Sequence, residues 1–154
     1  MLKQVLGNMT ANMIIGIDPD CSKSGVAFYE DEITVKMLWF FELYDFLLKN
    51  KDKIKIVIVE SSWLVGKSNW HSNPKQSKFV GKTIAKKVGA NHETGRKIVE
   101  MCEYLGIRYT LQMPLGTKNI NSVIFKSLTG IKSSNQDMRD AYMIVYNYIK
   151  SNKK

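Results

Sequence analysis

Cysteine is scarce in this chain. Cys21 and Cys102 are the two cysteines in 154 residues. They lie far apart and in no metal-ligand spacing, which excludes a disulfide framework and a thiolate zinc site and leaves ordinary free thiols. Histidine offers little more. His71 has no nucleophile or orienting acid near it in a recognisable pattern, and His92 reads as a helix-start residue. No apolar run approaches the roughly 18 residues of a membrane span, and Met1 to Met13 lacks the apolar core of a signal peptide. The expectation is a soluble, cytoplasmic protein with no membrane partner. Negative charge is also in short supply. Lys and Arg number 23 against 14 Asp and Glu, a net +9. Between Leu64 and Lys97 stand eight basic residues, among them Lys67, Lys82, Lys86 and Lys87, and one acid, Glu93, a net +7. Such a segment attracts polyanions, with Lys67, Lys82 and Lys86 as candidate contacts to nucleic acid.

What the chain does have is a pair of apolar runs that each end in a carboxylate. A single domain over 1–154, with a weak leader at 1–12, is expected, and a chain of this size buries about 70% of its unfolded surface. Ile14, Ile15 and Ile17 form a short β-branched run ending at Asp18, the pattern of a strand covered on both faces. Pro19 stops it, Asp20 to Gly25 turn the chain, and Val26 to Tyr29 return as its partner. Ile33 to Phe41 supplies a third strand. From Phe40 to Asn50 the apolar positions Phe41, Tyr44, Leu47 and Leu48 predict a helix. Ile54 to Glu60 repeats the opening theme, a buried strand that closes on an acid. Ile98, Met101, Cys102 and Leu105 mark a helix over 92–105 with Gly106 as its stop. A short strand over 107–112, a short helix within 114–129 and a longer helix over 135–150 complete the reading. The architecture expected is an α/β domain with a mixed sheet, antiparallel first and parallel after the first helix, with helices on both faces.

The last helix carries the second half of the chemistry. Below an N-cap at Asn135 the apolar stripe runs Ala141, Ile144, Val145 and Tyr148. Counting back by three and four lands on Asp137 and Asp140, which places both carboxylates on the inward face. Two like charges there need a counter-ion. If the strands ending at Asp18 and Glu60 are neighbours and this helix crosses them, four acids converge. Hard oxygen ligands of this kind suit Mg²⁺, with Mn²⁺ as a substitute. A basic surface around them points to phosphodiester hydrolysis with two cations per site.

The motifs Ile15-Gly-Ile-Asp-Pro-Asp20, Glu60-Ser-Ser-Trp63, Val88-Gly-Ala-Asn91 with Gly95, Lys126-Ser-Leu-Thr-Gly130 and Asp137-Met-Arg-Asp140-Ala141 occur in that order. In order and spacing they resemble RuvC-type Holliday junction resolvases of the ribonuclease H-like superfamily. The resemblance implies a ribonuclease H-like fold with a five-stranded sheet. It also implies a homodimeric, Mg²⁺-dependent endonuclease that cuts four-way and other branched DNA in recombination and repair, in a bacterial cell or a virus-infected host cell. By motif match, Asp18, Glu60, Asp137 and Asp140 would hold the metals, Trp63 would sit against a base, and Lys126 and Lys132 would contact phosphate. Two departures stand out: Asp20 occupies a position where the family usually has Gly, and the interval from Gly130 to Asp137 is short, which fits a compact, viral relative.

Two rival readings come from other classes. Ser61 to Ser68 is one residue from a phosphate-binding loop, but Trp63, Leu64 and Val65 would crowd a backbone nest and Pro74 interrupts the helix that should follow. A non-catalytic nucleic-acid-binding module of the same fold is the other. Within the nucleases, an enzyme acting on RNA–DNA hybrids or flaps would share the same carboxylates.

Overall fold

The computed structural model describes residues 10–65, 78–115 and 119–153. Nine of the twelve leader residues lie outside that range. The five strands are β1 (Met13–Asp18), β2 (Ser24–Tyr29), β3 (Ile33–Leu38), β4 (Ile54–Glu60) and β5 (Tyr109–Gln112). The helices are α1 (Phe40–Asn50), α2 (Lys78–Leu105), α3 (Ser122–Thr129) and α4 (Gln136–Ser151). The sheet order is β3-β2-β1-β4-β5. β1 pairs antiparallel with β2, and β2 with β3, whereas β1–β4 and β4–β5 are parallel. This is the mixed five-stranded α/β sheet that the strand pattern predicts.

Side chains alternate across the sheet, so each central strand feeds two cores. Ile15, Ile17, Val26, Val57 and Val59 meet Leu43 and Leu47 of α1 and Ile98, Met101, Cys102 and Leu105 of α2. Ile14, Ala27, Ile56 and Ile58 point the other way, against Phe125 of α3 and Ala141, Tyr142, Ile144 and Val145 of α4. Burial of each such branched side chain stabilises by roughly 1.5–3 kcal/mol. α4 approaches closely because Gly16 has no side chain: a Cβ there would lie 2.7 Å from the Ala141 carbonyl oxygen and 2.8 Å from Val145 Cγ2. Cys102 is a packing residue, and burial, aided by the neighbouring Glu103, pushes its thiol up to about 12.

Three expectations need correction. α1 buries Leu43 and Leu47, while Phe41 and Leu48 are exposed, so its inner stripe lies one step around the helix from the one predicted. The third strand stops at Leu38, because the chain enters α1 at Phe40. α2 begins at Lys78 and is twice the expected length, which puts His92 in its middle. In its first half Val80, Ile84 and Val88 recur every four residues, but they stay exposed among Gly81, Gly89 and the lysines of the basic segment. Gly106, at φ 67°, ends it: Ile107 N–H donates to Cys102 O at 2.9 Å and Gly106 N–H to Glu103 O at 3.1 Å, the paired bonds of a left-handed helix stop. Among the described residues, no helix is long and apolar enough to cross a membrane.

Candidate metal centre

Parity along β1 decides where Asp18 points. Ile14 and Gly16 face α4, so Asp18, two residues on, emerges at the strand end on that same face. α4 meets it there with its first turn. Asn135 caps the helix by accepting from Met138 N–H at 2.9 Å, which sets the first turn's orientation. Asp137 and Asp140, three residues apart, then share one side of the helix. The result is a group in which Asp18, Asp137 and Asp140 each offer a carboxylate oxygen, all within 4.8 Å of one another.

Glu60 stands beside this group without being part of it. β1 and β4 run parallel with Ile17 opposite Val59, so the next step sets Glu60 against Asp18. Ile56 and Ile58 share its parity and face α4, so the same sheet face receives both acids.

Other residues hold the acids in place. Arg139 Nε donates to Ile120 O at 3.1 Å and its Nη1 to Ser134 O at 3.0 Å, fastening the helix start to the segment before α3 and to the loop before α4. Its Nη2 donates to Gln136 Oε1 at 3.0 Å, and Gln136 Nε2 donates to Asp140 Oδ1 at 2.7 Å. The guanidinium thereby orients the amide, and the amide orients the carboxylate. From the other face, α2 reaches over the turn after β1. Asn91 Oδ1 accepts from Cys21 N–H at 2.8 Å, and Asn91 Nδ2 approaches Asp20 Oδ2 at 3.4 Å. Asp20 also accepts from the Ser22 N–H and Oγ at 2.8 and 2.7 Å.

The electrostatics separate the acids. Asp137 titrates above the usual carboxylate range, first because it is partly buried and then because Asp20 and Asp140 repel its charge, with Lys87 offsetting part of the effect. Burial also pushes Asp20 up, but the Ser22 hydrogen bonds, the Lys87 charge and the Asn91 amide outweigh it and leave Asp20 below its usual value. The donor set fits a hard divalent cation. Ligand oxygens on opposite sides of an ion held at about 2.1–2.5 Å are about 4.2–5.0 Å apart, the span that three oxygens within 4.8 Å allow.

No protein-family model matches the sequence, and no curated protein matches it either. Solved structures do. Thermus thermophilus RuvC in complex with a Holliday junction substrate aligns over 91% of this chain and 96% of its own, at 12% identity and a TM-score of 0.53. This chain has the ribonuclease H-like fold of RuvC. Thermus thermophilus RuvC in a second structure aligns over 90% of this chain and 96% of its own, with 12% identity and a TM-score of 0.46. The Fowlpox virus resolvase in complex with Holliday junction DNA gives 92% and 99% coverage, 11% identity and a TM-score of 0.48.

On this RuvC fold the remaining candidate residues spread around the carboxylates. Trp63 follows β4 in a short 3₁₀ turn, half-buried, its ring packed on Gly95 of α2 with the Arg96 guanidinium 6.0 Å from the ring centroid. Lys82 and Lys86 are exposed on α2, about 100–180° around the helix from Lys87 and Asn91. Lys126 is exposed in the last turn of α3 and Lys132 in the loop before α4. Lys67 and His71 lie outside the described residues. Sequence reasoning missed Lys87, Asn91, Gln136 and Arg139. Their role depends on partners up to 71 positions away, and the one local clue was the polar run before Asp137.

Proposed function

We propose that this protein is a metal-dependent endonuclease that cuts branched DNA, the four-way junction above all, as a single RuvC-like domain acting as a homodimer in the cytoplasm. The observation that carries this reading is the meeting of Asp18, Asp137 and Asp140 within 4.8 Å at the open end of the sheet. The RuvC fold and the net charge of +9 support it.

Asp18, Asp137 and Asp140 would hold one Mg²⁺, and Glu60, arriving from the neighbouring strand, would share a second with them. Mn²⁺ would substitute. Bound divalent cations would supply Lewis acidity, lowering the pKa of water and offsetting charge on the phosphodiester. The chain's own residues do the rest. The Arg139–Gln136 pair fixes the direction of the Asp140 carboxylate, and the Asn91 amide holds the turn that follows Asp18. Lys87, whose charge reaches both Asp20 and Asp137, offsets part of the negative field that would repel an incoming phosphate. Lys82, Lys86, Lys126, Lys132 and Lys67 would contact the DNA backbone, and Trp63 a base beside the cleavage point.

The test is cleavage of a labelled four-way junction with Mg²⁺, with Asp18→Asn and Asp140→Asn as controls. Paired nicks that vanish in both variants are the expected result. Junction binding without metal-dependent nicking in the unaltered protein would identify a binding module instead. Competition with RNA–DNA hybrids and flapped duplexes separates the nuclease classes.

A further inference from the structure

Three aromatic residues follow one another where β3 gives way to α1, and they do different things. Phe40 is rooted against the core beneath the sheet. Its neighbours face water: Trp39 is 51% exposed and Phe41 78%. Phe41 stands edge-on to Phe40 with ring centroids 5.7 Å apart, so a partly buried ring backs the exposed one. Folding does not call for this arrangement. Trp39 occupies the N-cap of α1, a position that Ser, Thr, Asp or Asn fills far better, and the helix start relies on Glu42 accepting from the Trp39 N–H at 2.8 Å. Neighbouring large rings left in solvent mark a contact surface.

Its place in the fold says what it contacts. Asp18 pairs with Gly25, Gly25 with Met37 and Ser24 with Leu38, so Trp39 leaves the sheet at the same end as the carboxylates. Two strand spacings, roughly 10 Å, separate β1 from β3, and Trp39 lies two residues beyond Met37, which stands level with Asp18. Lys23, in the turn after Asp18, places its Nζ 5.4 Å from the Trp39 ring centroid. A cation seated on an exposed ring, with a second exposed ring two residues on along the chain, is the composition that takes a base on its π-face and the adjoining phosphate on its charge. Glu42 is the acid nearby, and one of its oxygens is already committed to the Trp39 N–H.

We propose that Trp39 and Phe41, with Lys23, form a stacking platform for an unpaired base of branched DNA. The proposal rests on the reading of branched DNA as the ligand, and names where an unstacked nucleotide of it is received. The platform distinguishes a junction from continuous duplex, because only the junction offers a base free to leave its stack.

The test uses the full chain in EDTA, so that no cleavage occurs. The probes are a four-way junction carrying 2-aminopurine at the crossover and an uninterrupted duplex of equal length. Trp39→Ala with Phe41→Ala is expected to weaken junction binding by about tenfold or more while changing duplex binding less than about twofold. Trp39→Phe restores it, and Lys23→Ala lowers the salt slope by about one for the junction. The 2-aminopurine emission, quenched by stacking in the unaltered protein, recovers in the double variant. Should Trp39→Ala fail to fold, Phe41→Ala alone carries the comparison. Equal losses on both DNAs, no loss on either, or a lower solution mass for the free double variant, showing that the rings seat a second copy, each overturn the proposal. Because binding is read without metal, absence of nicking would sink the nuclease reading and leave this one standing.

Discussion

Gly25 of β2 lies directly beneath the main chain of Asp137: a methyl group built on Gly25 would overlap the Asp137 carbonyl carbon and oxygen. The register that pairs Gly25 with Asp18 therefore also sets the height of α4 above it. Gly25→Ala must lift the helix start. We expect a loss of about 1–3 kcal/mol from overpacking and a fall in nicking of about 100-fold, as displacement of catalytic groups by about 1 Å commonly produces. Circular dichroism and thermal melts beside a junction-cleavage assay check this, and a variant that nicks at the native rate would show that the acids do not need this spacing.

Asp18→Asn removes a proposed metal ligand and a negative charge at once. Nicking should disappear while junction binding stays as tight or tightens, since phosphate then approaches a less negative site. Gel-shift titration and cleavage on the same junction report both. Retained nicking would count directly against the site assignment.

Asp137 makes metal-free stability depend on pH in a definite direction. Its folded carboxyl holds a proton more tightly than the unfolded chain does, so folding takes up protons. The stability that Asp137 contributes is therefore greatest below the ordinary carboxylate pKa and declines as pH rises through the elevated folded value, opposite in sign to the contribution of Asp20. Without metal at neutral pH, Asp137→Asn should melt about 1–3 °C higher, the size of a solvent-screened repulsion under about 1 kcal/mol. Added Mg²⁺ should raise the melting point of the native protein more than that of the variant. The opposite order, measured by scanning calorimetry, would mean that Asp137 sits in no repulsive cluster.

Gln136 touches no proposed substrate, yet its amide donates to Asp140 and accepts from Arg139. Gln136→Ala should weaken Mn²⁺ binding by about 10–100-fold, the usual effect of removing a group that orients a metal ligand. Nicking should recover at high metal concentration. Calorimetric titration with Mn²⁺ measures the affinity, and an unchanged value would make Gln136 a helix-start residue and nothing more.

The exposed lysines of α2 are proposed to act through phosphate. Lys82→Ala with Lys86→Ala should weaken binding to junction and duplex alike and reduce the slope of log K against log salt by about two. An unaltered slope would place the DNA on another face.

Local pattern sufficed for β1 and β4 and for the inward face of α4, since Ile14 to Asp18 and Ile54 to Glu60 are short apolar runs buried on both faces and the Asp137 to Tyr148 stripe recurs at three and four. The fivefold mixed sheet follows from their order. α2 resisted the same treatment. From Val80 to Ala90 no residue is buried: Val80, Ile84 and Val88 recur every four positions yet stay partly exposed, so the stripe marks no core face. On α1 the mistake was one of phase: Phe41 and Leu48 looked like core, and Leu43 took their place.

Composition and spacing along the chain thus settled which acids end strands, which helix turns acids inward, and that the surface is basic, because each is a property of neighbours within a few residues. The meeting of Asp18 with Asp137 and Asp140, the standing of Glu60 one strand away, the reach of Asn91 to Cys21, and the exposure of Trp39 in contrast to the half-covered Trp63 belong to the packed molecule. They depend on Gly16, Gly25 and Gly95 letting helices and rings come close, and the absence of a side chain leaves no periodic trace from which that closeness could be read.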